Sequence, residues 1–134
     1  PRVSDLWVLD ASAVLALLHS EPGADVVKAT IYDGAAISSV NLCEVIGKLT
    51  DCGMSPLDIE RAIRTLGLDV IDFDSDQAMT TGTARACTKN LGLSLGDRAC
   101  LSLAMALGSM AVTADASWEK VDLPVVVKLI RERG

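Results

Sequence analysis

Aromatic side chains are scarce in this sequence, and histidine is scarcer. The 134 residues include two Trp, one Tyr and one Phe, too few for the stacking surfaces with which some modules bind the bases of single strands. The one histidine, His19, and four cysteines without a C-x-x-C pair supply too few closely spaced ligands for a zinc site. Any nucleic acid must therefore be held in another way.

Positive charge is also in short supply. The net charge of -6 argues against broad attraction to phosphate backbones, although a local site can override it. The basic residues that could form such a patch near acids are Lys48, Arg85, Lys89 and Arg98.

Long apolar runs and a basic-then-apolar leader are missing as well. The longest uncharged stretch, 99–114, is shorter than the roughly 20 residues that cross a bilayer, and Gly108-Ser109 interrupts it. We therefore expect a cytoplasmic protein with no membrane span. In a reducing cytosol the cysteines are expected to be unpaired core residues, because three of them fall in helix-like apolar patterns.

Short apolar runs alternate with helical patterns along the chain. The runs cover 6–9, 35–38, 69–73, 110–113 and 125–127. This alternation predicts an α/β fold with a mainly parallel sheet, and the length predicts a single domain, 1–134. Between the strands we predict helices over 11–19, from Ala24 to about 32, from about 40 to Gly53, from Ser55 to Gly67, and over 75–90 with Gly92 as its end.

Four carboxylates stand where these segments change. Asp10 and Asp115 follow the first and fourth apolar runs, and Glu44 and Asp97 lie early in two apolar helices. In open α/β sheets ligands bind outside the carboxyl ends of the strands, so these acids could share one crevice. Together they would form an all-oxygen site for a hard divalent cation.

Each acid also has a purely structural explanation. Asp10 and Asp115 could cap the segments that follow them, and the spacings Asn41-x-x-Glu44 and Ser94-x-x-Asp97 are those of capping boxes. The setting of Asp10 favours more than capping, because this acid joins an apolar strand to an apolar helix and is poorly solvated without a partner.

The motifs VLDAS, SSVNLCEV, LSLGDRA and VTAD carry these acids in order, and with them the chain resembles the PIN-domain nucleases, above all the VapC toxins of toxin–antitoxin pairs. The resemblance implies a three-layer α/β/α fold with a five-stranded parallel sheet in the order 3-2-1-4-5. It also implies an endoribonuclease that uses Mg²⁺ or Mn²⁺, leaves a 5′-phosphate and a 3′-hydroxyl, and forms a homodimer. A small antitoxin would insert apolar side chains between the first and the central helices and block the cleft with a basic tail.

The resemblance also assigns roles to individual residues. The predicted catalytic metal ligands are Asp10, Glu44, Asp97 and Asp115. Ser12 and Thr113 match small polar residues of the family and are expected to hydrogen-bond these ligands. Two basic residues are left with alternatives: Lys48 pairs with Glu44 or contacts phosphate, and Arg98 neutralises substrate or points to solvent.

Other classes use similar folds. A phosphoacceptor receiver would use Asp72 as acceptor, Asp10 for Mg²⁺, Thr113 as switch and Lys128 as phosphate partner, but such receivers have paired acids after the first strand and one helix per crossover. A haloacid-dehalogenase-like phosphatase would need an acid where Ser12 stands. A third alternative is a chain that acts mainly as a binding partner.

Overall fold

The computed structural model describes residues 6–132. Its strands are β1 (Trp7–Leu9), β2 (Ala35–Ser38), β3 (Asp69–Ile71), β4 (Met110–Thr113) and β5 (Val127–Leu129). Its α-helices are α1 (Ala11–Leu18), α2 (Ala24–Asp33), α3 (Ser39–Asp51), α4 (Pro56–Leu66), α5 (Ser75–Thr83), α6 (Arg85–Thr88) and α7 (Leu95–Leu107). Two 3-10 helices cover Lys89–Leu91 and Ala116–Lys120.

The five strands form one parallel sheet in the order β3-β2-β1-β4-β5. β1 lies at the centre and pairs with β4 through Leu9 opposite Val112, and the amide of Asp10 donates to the carbonyl of Val112 at 3.1 Å. The chain leaves both strands at the same edge of the sheet. The predicted α/β/α fold and strand order are confirmed.

Hydrophobic side chains cover both faces of the sheet. On one face Leu9, Ile37 and Val112 pack with residues of α1 to α4, and on the other Val8 and Ala111 pack with α7. Full burial of a Val, Leu or Ile side chain contributes about 1.5–3 kcal/mol. These two cores hold the carboxyl edge of the sheet in place.

The predicted start and end residues of α4 are confirmed. Ser55 Oγ accepts from the amide of Asp58 at 3.2 Å, Pro56 opens the helix, and Gly67 ends it in the left-handed conformation with φ 65°. Gly92 likewise has φ 67° at the end of its segment. In both cases a residue with a Cβ would strain the turn.

The predicted helix over 75–90 is wrong as a single element. α5 ends at Thr83, and α6 and a 3-10 helix follow. The run Thr80-Thr81-Gly82-Thr83 has low helix propensity, and the Thr83 hydroxyl bonds back to the carbonyl of Met79 at 2.8 Å. These residues interrupt the helix, although the apolar periodicity over 75–90 predicts that it is continuous.

Two predicted strands are misplaced at their ends. β3 stops at Ile71 because the amide of Phe73 donates to Ser39 Oγ at 3.0 Å instead of extending the sheet. β5 begins at Val127, two residues later than predicted, because Val125 donates to the carbonyl of Leu123 in a tight turn.

The prediction that the cysteines are core residues is also wrong for most of them. Cys100 is buried, whereas Cys43, Cys52 and Cys87 are exposed, and all four are free. Cys43 and Cys87 lie on the outer faces of α3 and α6, and Cys52 directly follows the end of α3. Within the described part of the chain, no helix is long and apolar enough to span a membrane.

Candidate metal-binding cleft

Asp10 lies where β1 passes into α1. Its Oδ1 accepts from the amide of Ala13 at 2.8 Å, so the predicted N-cap is present. Only 4% of the residue is exposed. A carboxylate at this depth needs several hydrogen-bond donors, and the local backbone supplies one of them.

Two hydroxyl groups supply the other donors to Asp10. Ser12 Oγ lies 2.8 and 2.9 Å from its two carboxylate oxygens, and Thr113 Oγ1 donates to Oδ2 at 2.6 Å. Both hydroxyls also accept from the chain beyond β4, Ser12 from the amide of Ala114 and Thr113 from the amide of Asp115, each at 3.0 Å. The network therefore ties the end of β1 to the end of β4.

The charge state of Asp10 is set by its surroundings. Desolvation by burial raises its pKa from 3.8 to about 6, against hydrogen bonds from Thr113, Ala13 and Ser12 that lower it, while the nearby charge of Asp97 raises it further. The pKa of the buried Cys100 thiol is raised as well, first by burial and then by the charges of Asp10, Asp97 and Glu44. At Asp10 the effect of desolvation on the pKa is thus larger than the opposite effect of the hydrogen-bond donors.

Glu44 projects from α3 and is exposed. Its Oε1 accepts from Nδ2 of Asn41 at 2.9 Å. The predicted capping box is wrong, because Ser38 is the N-cap of α3 and Asn41 lies inside the helix. The carboxylate also lies against Gly96, at the start of α7.

Asp97 and Asp115 both cap the segments that begin beside them. Asp97 Oδ2 accepts from the amide of Ser94 at 2.9 Å, which completes the predicted capping box at the start of α7. Asp115 Oδ1 accepts from the amide and the hydroxyl of Ser117 at 2.9 and 2.8 Å. Each acid keeps its other carboxylate oxygen free of hydrogen bonds within residues 6–132.

All four predicted acids line one cleft of about 240 Å³. Its walls also include Ala11, Ser12, Leu15 and Lys48. As the side chains stand, no group of three or more His, Cys, Asp or Glu residues within 6–132 is arranged to hold a metal ion. The acids therefore share a cavity, and the free oxygens suit a hard cation by their chemistry, but they do not form a closed coordination shell.

The sequence profile of the PIN domain matches residues 7–123. The chain belongs to the PIN-domain family. No curated protein sequence matches it at a significant level.

Solved structures share this PIN fold at low sequence identity. A toxin–antitoxin complex from Klebsiella pneumoniae is similar with a TM-score of 0.71 and 18% identity, over 94% of this chain and 98% of that one. VapBC2 from Rickettsia felis, bound to a DNA fragment from its promoter, is similar with a TM-score of 0.70 and 17% identity, over 92% of this chain and 97% of that one. VapBC-5 from Mycobacterium tuberculosis is similar with a TM-score of 0.57 and 20% identity, over 95% of this chain and 99% of that one.

Of the four basic residues that could contact substrate, Lys48 lines the cleft. No ion pair between described residues joins it to Glu44, and its side chain is exposed. Arg98 neither lines the cleft nor points to solvent: its Nη1 donates to the carbonyl of Thr81 in α5 at 3.0 Å. The position of Arg98 beside Asp97 in the sequence does not predict that its side chain turns towards α5.

The receiver alternative does not agree with the sheet order. β3 is an edge strand, separated from β1 by β2, so Asp72 and Asp10 do not follow neighbouring strands, and Asp72 is exposed. Lys128 lies over the ring of Trp7, with Nζ 5.6 Å from the ring centroid. The residues that a phosphoacceptor site needs are therefore not gathered around Asp72. His19, at the end of α1, is likewise not part of the cleft lining.

Sequence reasoning missed two residues that contact Glu44. Asn41 is 1% exposed, and its Nδ2 also donates to the carbonyl of Gly96 at 3.0 Å. The available signal was a polar amide on the apolar face of α3, three residues before an acid, a spacing that places both on one side of a helix. The same spacing is also that of a capping box, so it does not by itself indicate a contact between the two side chains.

Proposed function

We propose that this PIN domain is an endoribonuclease that depends on Mg²⁺ or Mn²⁺ and acts as the VapC-type toxin of a toxin–antitoxin pair. The observation that carries the proposal is the shared cleft of Asp10, Glu44, Asp97 and Asp115 at the carboxyl edge of the sheet. Capping alone would not bring the ends of β1 and β4 and residues of α3 and α7 to one cavity.

The four acids are the proposed ligands of the cation. Carboxylate oxygen is the donor that Mg²⁺ and Mn²⁺ prefer, and Glu44, Asp97 and Asp115 each have one oxygen available. Asp115 is exposed, so its side chain is able to move without disturbing the core. When bound, the cation supplies positive charge to the scissile phosphate and lowers the pKa of water.

The remaining cleft residues act on the acids or on the substrate. Ser12 and Thr113 orient Asp10 and favour its ionised form, because both hydroxyls donate to the carboxylate. Lys48 is the proposed contact to the RNA backbone. Hydrolysis forms a bond from water oxygen to phosphorus and breaks the bond from phosphorus to the 3′ oxygen, giving a 5′-phosphate and a 3′-hydroxyl.

The proposed antitoxin fits two apolar cavities that flank α4. One, of about 600 Å³, is lined by residues of α3, α4 and β3 that include Ile46 and Val70, and the other, of about 420 Å³, lies between α1, α2 and α4 beside Tyr32. α3 also carries Glu44 and Lys48, so a partner in the first cavity lies next to the acidic cleft. We expect an amphipathic helix followed by a basic tail. The homodimer stays a prediction from the resemblance, and the cytoplasmic location stays a prediction from the sequence.

The nuclease proposal is tested by RNA cleavage with Mg²⁺ or Mn²⁺, with EDTA, and with Asp10→Asn and Asp97→Asn. We expect cleavage with either cation and loss of cleavage under the other conditions. Asp51→Asn is the matched control, because this exposed acid of α3 does not line the cleft. Cleavage that survives chelation or both substitutions overturns the proposal.

The antitoxin proposal is tested by co-purification of a small basic protein with the expressed chain. Ile46→Glu should abolish the complex, whereas Leu57→Glu should not, because Leu57 is 55% exposed on α4 and lines neither cavity. A chain that purifies without a partner, or a complex that is insensitive to Ile46→Glu, contradicts the proposed interface.

A further inference from the structure

We propose that Asn41 and Gly96 are positioning residues that hold the carboxylate of Glu44 against the start of α7, and that cation affinity depends on both. The inference rests on the proposed function, since it deepens the role of the same cleft. Neither residue lines the acidic cleft itself.

Asn41 connects two helices through one amide group. Its Nδ2 donates to Glu44 Oε1 at 2.9 Å and to the carbonyl of Gly96 at 3.0 Å. Both partners are acceptors only, so they fix which end of the amide faces them. Oδ1 of this buried side chain has no hydrogen-bond partner among the described residues. The amide is therefore committed to Glu44 and α7.

Gly96 makes room for the carboxylate that Asn41 holds. A Cβ at this position would lie 2.2 Å from Oε1 of Glu44 and 2.6 Å from its Cδ and Oε2. Real Cβ atoms do not approach other atoms so closely, so any larger residue would displace the carboxylate. Glycine is unfavourable in a helix, and its use in the first turn of α7 is explained by this contact.

The two contacts relate Glu44 to a second acid. Asp97 follows Gly96 directly, and the carbonyl of Gly96 is held by the same amide that holds Glu44. Asn41 thus sets the distance between an acid of α3 and an acid of α7. Partners of this kind orient metal ligands, and their loss typically weakens metal binding about 10–100-fold.

The test measures the Kd for Mn²⁺ by calorimetry and by electron paramagnetic resonance, without RNA. Asn41→Leu removes both hydrogen bonds at similar size, and Gly96→Ala displaces Glu44 while improving helix propensity. We expect each variant to bind Mn²⁺ about 10–100-fold more weakly than the wild type. Gly96→Ala keeps the test decisive if Asn41→Leu does not fold.

Two controls separate positioning from general stability. Gly47→Ala places a Cβ on α3 where no atom lies within 4 Å apart from the adjacent residues and the backbone of the same helix. Thr30→Val removes a buried hydroxyl that donates to the carbonyl of Val27 at 2.7 Å, away from the cleft. Both controls should leave the Kd for Mn²⁺ within about twofold of wild type, even where Thr30→Val lowers the melting temperature.

The outcomes distinguish this inference from the proposed function. If the wild-type chain binds Mn²⁺ and cleaves RNA, and Asn41→Leu and Gly96→Ala bind Mn²⁺ with the same Kd as the controls, the positioning role alone is overturned. If only one of the two variants changes the Kd for Mn²⁺, the positioning role of the other residue is overturned. A wild-type chain that neither binds Mn²⁺ nor cleaves RNA overturns both proposals.

Discussion

The hydroxyl of Thr113 donates a hydrogen bond of 2.6 Å to the carboxylate of Asp10, a residue 103 positions earlier in the chain. The bond joins the ends of the two central strands, and the same oxygen accepts from the amide of Asp115. It is one of three interactions that lower the pKa of Asp10 against the larger effect of burial. Thr113 thus favours the ionised form in which Asp10 can bind a cation.

Thr113→Val should remove this bond with little change in shape. We expect a loss of about 1–3 kcal/mol in the free energy of unfolding at pH 7.5, because a buried carboxylate loses a donor. The loss should be smaller at pH 5, where Asp10 is mostly protonated. Urea unfolding at both pH values measures it, with Thr88→Val as control for a buried hydroxyl that bonds only to a helix carbonyl. An equal loss at both pH values would contradict the charge-dependent role.

Asp10 should make stability depend on pH in a direction opposite to that of most acids. Its folded pKa is raised to about 6 from 3.8, so its favourable contribution is complete below pH 3.8 and is lost as the pH rises through 6. The difference corresponds to about 3 kcal/mol at neutral pH. Without divalent cations, Asp10→Asn should therefore be more stable than wild type at pH 7.5 and lose most of that gain at pH 4.

Urea unfolding in EDTA across this pH range checks the prediction. Mg²⁺ should raise the free energy of unfolding of the wild type, because a ligand that binds the folded chain stabilises it, and should have little effect on Asp10→Asn. Asp51→Asn serves as the exposed control. A flat difference between Asp10→Asn and wild type from pH 4 to 7.5 would show that burial does not penalise the charge.

The placement of Asp10 and Asp115 could be predicted because parallel strands end at a common edge, and the family resemblance implies that the first and fourth strands are neighbours. Asp10 and Asp115 follow the two central strands, and β1–β4 pairing brings their backbones together regardless of side-chain detail. The capping of α7 by Asp97 is equally local, since both partners lie within four residues. These features depend on periodicity and short-range hydrogen bonds.

The direction of individual side chains could not be predicted in the same way. Arg98 and Asp97 are neighbours, yet Arg98 turns to the carbonyl of Thr81 in another helix. Asn41 reaches Gly96, 55 residues later, which only the packing of α3 on α7 allows. Tertiary contacts of this kind leave no periodic signal, and for that reason the support of Glu44 was missed.

Asp97 should show separable structural and functional roles. Asp97→Asn keeps an oxygen that can accept from the amide of Ser94, so we expect less than about 1 kcal/mol change in unfolding free energy. Cleavage of RNA should fall more than about 100-fold, beyond the loss typical for residues that only support a ligand. Ser94→Ala should give the opposite result, a loss of about 1 kcal/mol from the cap with cleavage near wild type. Paired denaturation and cleavage assays distinguish the roles, and a parallel loss in both variants would mean that Asp97 acts only as a cap.

Lys48 should contribute to binding of RNA and not to stability. Its exposed ammonium group lies in the wall of the acidic cleft without an ion pair to Glu44, so its charge is available to a phosphate. Lys48→Ala should weaken RNA binding, and the slope of log K against log salt should become shallower by about 1, as expected for one lost phosphate contact. Binding of uncleaved RNA by Asp97→Asn, with and without Lys48→Ala, measures this over a range of salt. Lys89→Ala is the control, because this exposed lysine lies outside the cleft lining. If Lys48→Ala leaves the salt dependence unchanged, another basic residue contacts the phosphate backbone.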